Sequence, residues 1–239
     1  MIAYLLQSQA DLAWPPTAWL SAAEQAEYAA LRMPRRQQDW LAGRWTAKRL
    51  IQATRAEAAG APLAAIQLAP ASGRAPLASW PGCPRPWPIS ISHCDGQAAA
   101  ALCDEPCQPL GIDLERVEAR SPAFPDDYFT LDEIASLGRG LQAQAEQVTA
   151  IWCGKEAALK ALGLGLTVDT RTVSVRLKPA RGDGGEWRLL EVDAAGARLE
   201  GCWRRRGPYV LTIVWGAAHG RAEDWPVDVQ LVGVQERVA

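Results

Sequence analysis

The stretch WCGKEAALKALGLGL, residues 152–166, sets how the rest of the chain is read. It has the composition of an amphipathic helix and closes on glycines, Gly163 and Gly165, which are usual helix stops. Residues four apart share a helix face, so Glu156 and Lys160 project together while Lys155 points elsewhere. Two readings are open for that pair. One is a solvated ion pair worth a few tenths of a kcal/mol; the other is a pair of reactive groups facing a ligand.

Shifting the chain by 111 residues gives this stretch a counterpart upstream. Gly43-Arg44 falls on Gly154-Lys155, Arg49 on Lys160, and Gly96 of a predicted hairpin on Gly207. The first strand, from Ile2, falls on one that begins at Asp113. Three elements sharing one offset favour a duplicated strand, helix, strand and hairpin unit. The expected fold is α+β, a pseudo-twofold duplication of two similar halves, each with a small sheet packed on a long helix. The division is drawn as 1–110 and 111–239. A cleft formed by such halves would be a natural ligand site.

Between these anchors the elements follow from pattern. IAYLL alternates as a strand, and Ser21 precedes SAAEQAEYAALRM as a helix cap. QQDWLAGRWTAKRLIQATRAEAAG reads as a long helix closed by Gly60, followed by a strand in LAAIQLAP. ASGRAPLASWPGCPRPWP reads as a Pro/Gly-rich loop, and ISISHCDGQAAAALC as two strands around the turn Asp95-Gly96.

Composition excludes several classes. With 49% hydrophobic and 22% charged residues the 239-residue chain is globular, and a net charge of −2 gives no global polyanion-binding surface. No nucleic acid is expected as a partner. The six cysteines (83, 94, 103, 107, 153 and 202) form no CxxC pair and read as reduced thiols. No apolar run is long enough to cross a membrane, and the N-terminus lacks a basic region. A cytoplasmic protein without membrane contact is expected.

In GIDLERVEAR, Asp113 and Glu115 are two apart on a strand and point to one face. The bland reading is an exposed edge strand. Paired carboxylates also suit Mg²⁺, a hard cation satisfied by few oxygens and completed by phosphate. Glu156 would add a third oxygen if its helix crosses the end of this strand.

These residues resemble the 4′-phosphopantetheinyl transferases of the long, Sfp-type class. The family pattern is G-[IV]-D-[IV]-E, then W-[CS]-x-K-E-[AS]-x-x-K-x-x-G-x-G. It is met at Gly111, Asp113, Glu115, Trp152, Cys153, Lys155, Glu156, Ala157, Lys160, Gly163 and Gly165. ISISHCDG is similar to the family's I-S-H-S stretch with Cys94 in place of the second serine. GRAP is similar to its G-[KR]-P with one residue inserted, and AAHGRAEDWPVDV to its C-terminal segment.

The resemblance implies transfer of the 4′-phosphopantetheine arm of coenzyme A to a serine of an apo carrier protein, releasing 3′,5′-ADP. It implies Mg²⁺, or Mn²⁺, held by Asp113, Glu115 and Glu156. Glu156 would also take the serine proton, directly or through a water, and Lys160 would face the pyrophosphate. Lys155 has a structural or a phosphate-proximal role, with neither preferred. His93, with Ser92 beside it, would meet the 3′-phosphate of CoA, although a strand-end histidine is more often structural. Arg74 matches a phosphate-binding position, and Arg35 and Arg36 match an upstream basic cluster. Arg44 and Lys48 serve either helix packing or phosphate contact.

FPDDYFTLDEIASL, residues 124–137, corresponds to a family segment that helps receive the acidic carrier. Holding both halves in one chain implies a monomer, in contrast to the oligomeric short class. The resemblance does not specify which acyl, peptidyl or aryl carrier is served. Two other readings are a silent CoA- or carrier-binding module and another Mg²⁺-dependent enzyme acting on a nucleotide pyrophosphate.

Overall fold

The computed structural model describes residues 1–71, 74–104, 109–138, 140–165, 168–179, 187–216 and 231–233. The chain is a mixed α+β protein that divides into two compact units, Met1–Pro106 with Trp225–Ala239, and Cys107–Asp224.

In the first unit β1 (Ile2–Ser8) is followed by α1 (Ala22–Ala30) and α2 (Pro34–Thr54). Next come the strands β2 (Gln67–Ala71), β3 (Arg74–Ser79), β4 (Trp87–Pro88), β5 (Ser90–Cys94) and β6 (Gln97–Cys103). Strand β6 lies antiparallel between β1 and β5, while Leu231–Gly233 runs parallel on the outer side of β1. The β5–β6 turn has positive φ at both Asp95 (45°) and Gly96 (75°), as a type I′ hairpin requires. Helix α2 packs on this sheet through Ala47, Leu50 and Ile51, which meet Ala3, Leu5, Ala100 and Leu102. Full burial of Leu50 or Ile51 is worth about 1.5–3 kcal/mol each.

Two expectations fail here. Helix α2 stops at Thr54 rather than Gly60, because Arg55 is extended and its guanidinium bonds the Asp104 carboxylate (3.1 Å) and the Cys103 carbonyl (2.8 Å). The Pro/Gly-rich segment expected as a loop contains β3 and β4, which extend the expected strand β2 into a three-stranded sheet. Its prolines hid a period of two in which Ala78 and Trp80 point inward. Pro88 is tolerated because β4 is an edge strand.

The second unit is built on β7 (Leu110–Arg116), α3 (Phe124–Tyr128), α4 (Leu131–Ser136) and α5 (Leu141–Leu162). Four strands complete it: β8 (Val173–Leu177), β9 (Arg188–Ala194), β10 (Ala197–Arg206) and β11 (Tyr209–Gly216). They form one antiparallel sheet in the order β7-β11-β10-β9-β8. Helix α5 lies on this sheet and ends where predicted: Gly163 is left-handed (φ 66°), and the Leu164 N–H returns to the Leu159 carbonyl. Small residues on both surfaces let helix and sheet approach. A Cβ on Gly111 would sit 1.8 Å from the Ala157 carbonyl oxygen, and one on Gly154 would press on Val175 at 3.1 Å.

Gly96 and Gly207, 111 apart, both have positive φ at hairpin turns, but other like pairs in the two units have different spacings. A buried lysine recurs on the long helix of each unit, Lys48 and Lys155, which are 107 apart. The glutamates that bind them, Glu24 and Glu133, are 109 apart. Among the described residues no helix is long and apolar enough to cross a membrane. Cys83, Cys94, Cys103, Cys153 and Cys202 are free thiols, and Cys107 lies outside the described residues.

Candidate active site

Strand β7 alternates, so Asp113 and Glu115 share one face and Ile112 and Leu114 the other. Asp113 stands opposite Thr212 of β11, and Glu115 opposite Val210. Helix α5 crosses that face because Gly111 admits its backbone. This brings Glu156 to the strand: Asp113, Glu115 and Glu156 each offer a carboxylate oxygen, and the three oxygens lie within 4.8 Å of one another.

Lys160, one turn beyond Glu156, donates to Asp113 Oδ1 at 2.6 Å and to the Ile112 carbonyl at 3.2 Å. Asp113 is almost fully buried, whereas the Lys160 side chain keeps 30% of its exposure. The guanidinium of Arg120 donates to Glu115 at 3.0 Å and stacks over Phe124. Beneath the cluster the Cys153 thiol points to the Val210 carbonyl at 3.7 Å, and burial raises its pKa well above the usual thiol value.

Crowded anions in a partly dry site resist ionisation. Burial, then the Asp113 carboxylate, push the Glu156 pKa from 4.5 up to about 7, against the pull of Lys160. Burial and Asp113 also raise Glu115, with Arg120 and Trp152 acting the other way. Burial opposes the charge on Lys160, but Asp113 outweighs it and raises the lysine. Three hard oxygens with excess negative charge fit a small divalent cation of the Mg²⁺ type.

The other sequence candidates separate. Lys155 is fully buried; its ammonium binds Glu133 at 2.8 Å, the Thr170 carbonyl at 2.9 Å and the Val173 carbonyl. It is committed to the protein's own oxygens, which favours the structural one of the two roles left open for it and not the phosphate contact. Ser92 points inward on β5 and is buried, so it too is corrected as a direct CoA contact. His93, its neighbour, points outward with half its surface exposed and Nδ1 3.9 Å from Asp39. Arg35, largely exposed, reaches Asp95 at 3.4 Å, and Arg36 is exposed on the first turn of α2. The side chain of Arg74 and the segment AAHGRAEDWPVDV lie outside the described residues.

Arg44 and Lys48 serve packing. Lys48 is buried against Glu24 at 2.6 Å, and Arg44 binds Glu27 at 2.7 Å over the Trp40 ring. Sequence reasoning missed Arg120 and Glu133. Glu133 closes the capping box of Thr130, a T-x-x-E pattern visible in TLDE.

Comparison with known families matches residues 109–214 to the 4′-phosphopantetheinyl transferase superfamily. That segment holds the carboxylate cluster, Lys160 and Arg120, and over it the chain is similar to this superfamily of phosphopantetheinyl transferases. A search of curated proteins gave no match.

Proposed function

We propose that the protein transfers the 4′-phosphopantetheine arm of coenzyme A to a serine of an apo carrier protein, with release of 3′,5′-ADP. The observation that carries the reading is the cluster Asp113, Glu115 and Glu156 within 4.8 Å, with Lys160 against Asp113, inside the segment that matches the superfamily. In the reaction the serine Oγ forms a bond to the β-phosphorus of CoA, and the bond from that phosphorus to the bridging oxygen of ADP breaks. Glu156, next to Asp113 and Glu115 at the cluster, is placed to accept the serine proton. Lys160, held charged by Asp113, faces the charge that gathers on the departing phosphate. A divalent cation bound by the three carboxylates would neutralise pyrophosphate oxygens.

His93, with Arg35 and Arg36 on the start of α2, is proposed to meet the phosphates of CoA, and Arg74 joins them by its motif match alone. The finer fold reading is that the two units descend from a duplicated element and that the protein acts as a monomer. The recurrence of a capped glutamate bound to a buried helix lysine, Glu24–Lys48 and Glu133–Lys155, supports the duplication. Light scattering showing an obligate oligomer would count against the monomer.

Incubation with CoA, Mg²⁺ and an apo carrier tests the activity by the mass gained by the carrier. Wild type should load the carrier and Asp113→Asn should not, while remaining folded. Equal loading by both removes the site assignment. A wild type that binds CoA without loading any carrier is a binding module, and one that cleaves CoA without a carrier is a hydrolase.

A further inference from the structure

Glu133 and Lys155 are a charged pair with almost no exposure, next in sequence to a reactive glutamate. The Glu133 carboxylate accepts from Lys155 Nζ (2.8 Å), the Thr130 N–H (2.7 Å) and the Val175 N–H (2.6 Å). Lys155 spends its remaining donors on the carbonyls of Thr170 and Val173. Four pieces of chain meet here: the start of α4, the turn at Thr170–Thr172, strand β8 and helix α5.

Stability does not explain such a pair, since hydrophobic side chains of similar volume are often as good or better in its place. Its distinctive contribution is direction. An ammonium with three fixed acceptors sets both the roll and the axial position of the helix that carries it. On another side of α5 the Ala157 carbonyl rests against Gly111. Side-chain tips some 6 Å from a helix axis move about 1 Å for each 10° of roll. That matters for three oxygens that lie within 4.8 Å of one another.

We infer that Glu133 and Lys155 are a positioning pair. They set the roll of α5, and with it the approach of Glu156 to Asp113 and Glu115 and of Lys160 to Asp113. The inference rests on the reading of Glu156 and Lys160 given above and adds two residues that touch no substrate. The first unit contains the same device in Glu24, capped by Ser21, with Lys48 bonded to the carbonyls of Trp19 and Leu63. There the next residue is Arg49. The device orients a long helix in either unit; in the second unit a reactive carboxylate follows it.

The test is the double variant Glu133→Gln/Lys155→Met, which leaves no unpaired buried charge. Its thermal midpoint should stay close to that of wild type. Mn²⁺ binding without CoA, read by electron paramagnetic resonance, should weaken by about 10–100-fold. Turnover should fall by a similar factor, about 10–100-fold, with the KM for CoA changed less than about twofold. A folded double variant with wild-type Mn²⁺ affinity and turnover overturns the inference. If the double variant does not fold, Glu133→Asp decides by the same readings, because it keeps both charges and withdraws the carboxylate by one methylene. A wild type that binds Mn²⁺ but loads no carrier refutes the transferase reading, while the Mn²⁺ measurement still judges the pair. A wild type that binds no Mn²⁺ overturns both.

Discussion

The ammonium of Lys160 lies 2.6 Å from the Asp113 carboxylate and 3.2 Å from the Ile112 carbonyl, so its short contacts cross from helix to strand. Glu156, four residues earlier on the same helix, is thereby left to the carboxylate cluster. What looks in the sequence like a local ion pair is two members of a larger constellation. Lys160 compensates the most buried acid of the site while part of its side chain stays exposed to a ligand.

Lys160→Ala should lower turnover by about 10²–10⁴-fold, with a smaller effect on CoA affinity. It should also destabilise the metal-free protein by a few kcal/mol, because Asp113 is left buried without its lysine. Mg²⁺ should recover part of that loss. Steady-state kinetics and thermal unfolding with and without Mg²⁺ check both statements. A variant with weakened CoA binding and normal turnover would show that Lys160 only binds.

Glu156 makes the metal-free protein sensitive to pH. Its folded pKa of about 7 exceeds its ordinary 4.5, so between these values the folded chain holds a proton that the unfolded chain releases. The stabilisation from protonated Glu156 is complete below about pH 4.5 and is lost as pH rises through about 7. The loss is on the order of 3 kcal/mol. Thermal midpoints at pH 5 and pH 8 should therefore differ less in Glu156→Gln than in wild type. Mg²⁺ should raise the wild-type midpoint more at pH 8 than at pH 5. The same pH difference in both proteins would remove this account.

The sequence made the acids legible because a strand repeats every two residues. Asp113 and Glu115 had to share a face, and the spacing of the family pattern supplied Glu156. The hairpin at Asp95-Gly96 was legible because few residues accept positive φ at both positions. The role of Lys155 was not. Helical spacing gives the angle between Lys155 and Glu156 but not which side meets protein and which meets solvent. Its three acceptors come from segments 15 to 22 residues away. Glu133 was visible as a capping residue only, since its bond to Val175 joins elements that the sequence does not place together. Strands β3 and β4 were missed because Pro76 and Pro88 argue locally for a loop, and pairing with β2 and with each other overrode them.

His93 should discriminate CoA from dephospho-CoA. It points outward from β5, half exposed, beside Asp39 and close to the turn where Asp95 holds Arg35. Its neighbour Ser92 faces inward, so the contact falls to the imidazole alone. A phosphate monoester carries a charge of roughly −1.5 to −2 near neutral pH, and a hydrogen bond to such a group contributes about 1.5–3 kcal/mol. His93→Ala should therefore raise the KM for CoA by roughly tenfold and leave that for dephospho-CoA almost unchanged. The preference between the two substrates should fall toward one, because the lost contact was never made to the smaller molecule. Equal weakening of both substrates would mean that His93 acts through structure, by its approach to Asp39, and that the 3′-phosphate is read by other residues.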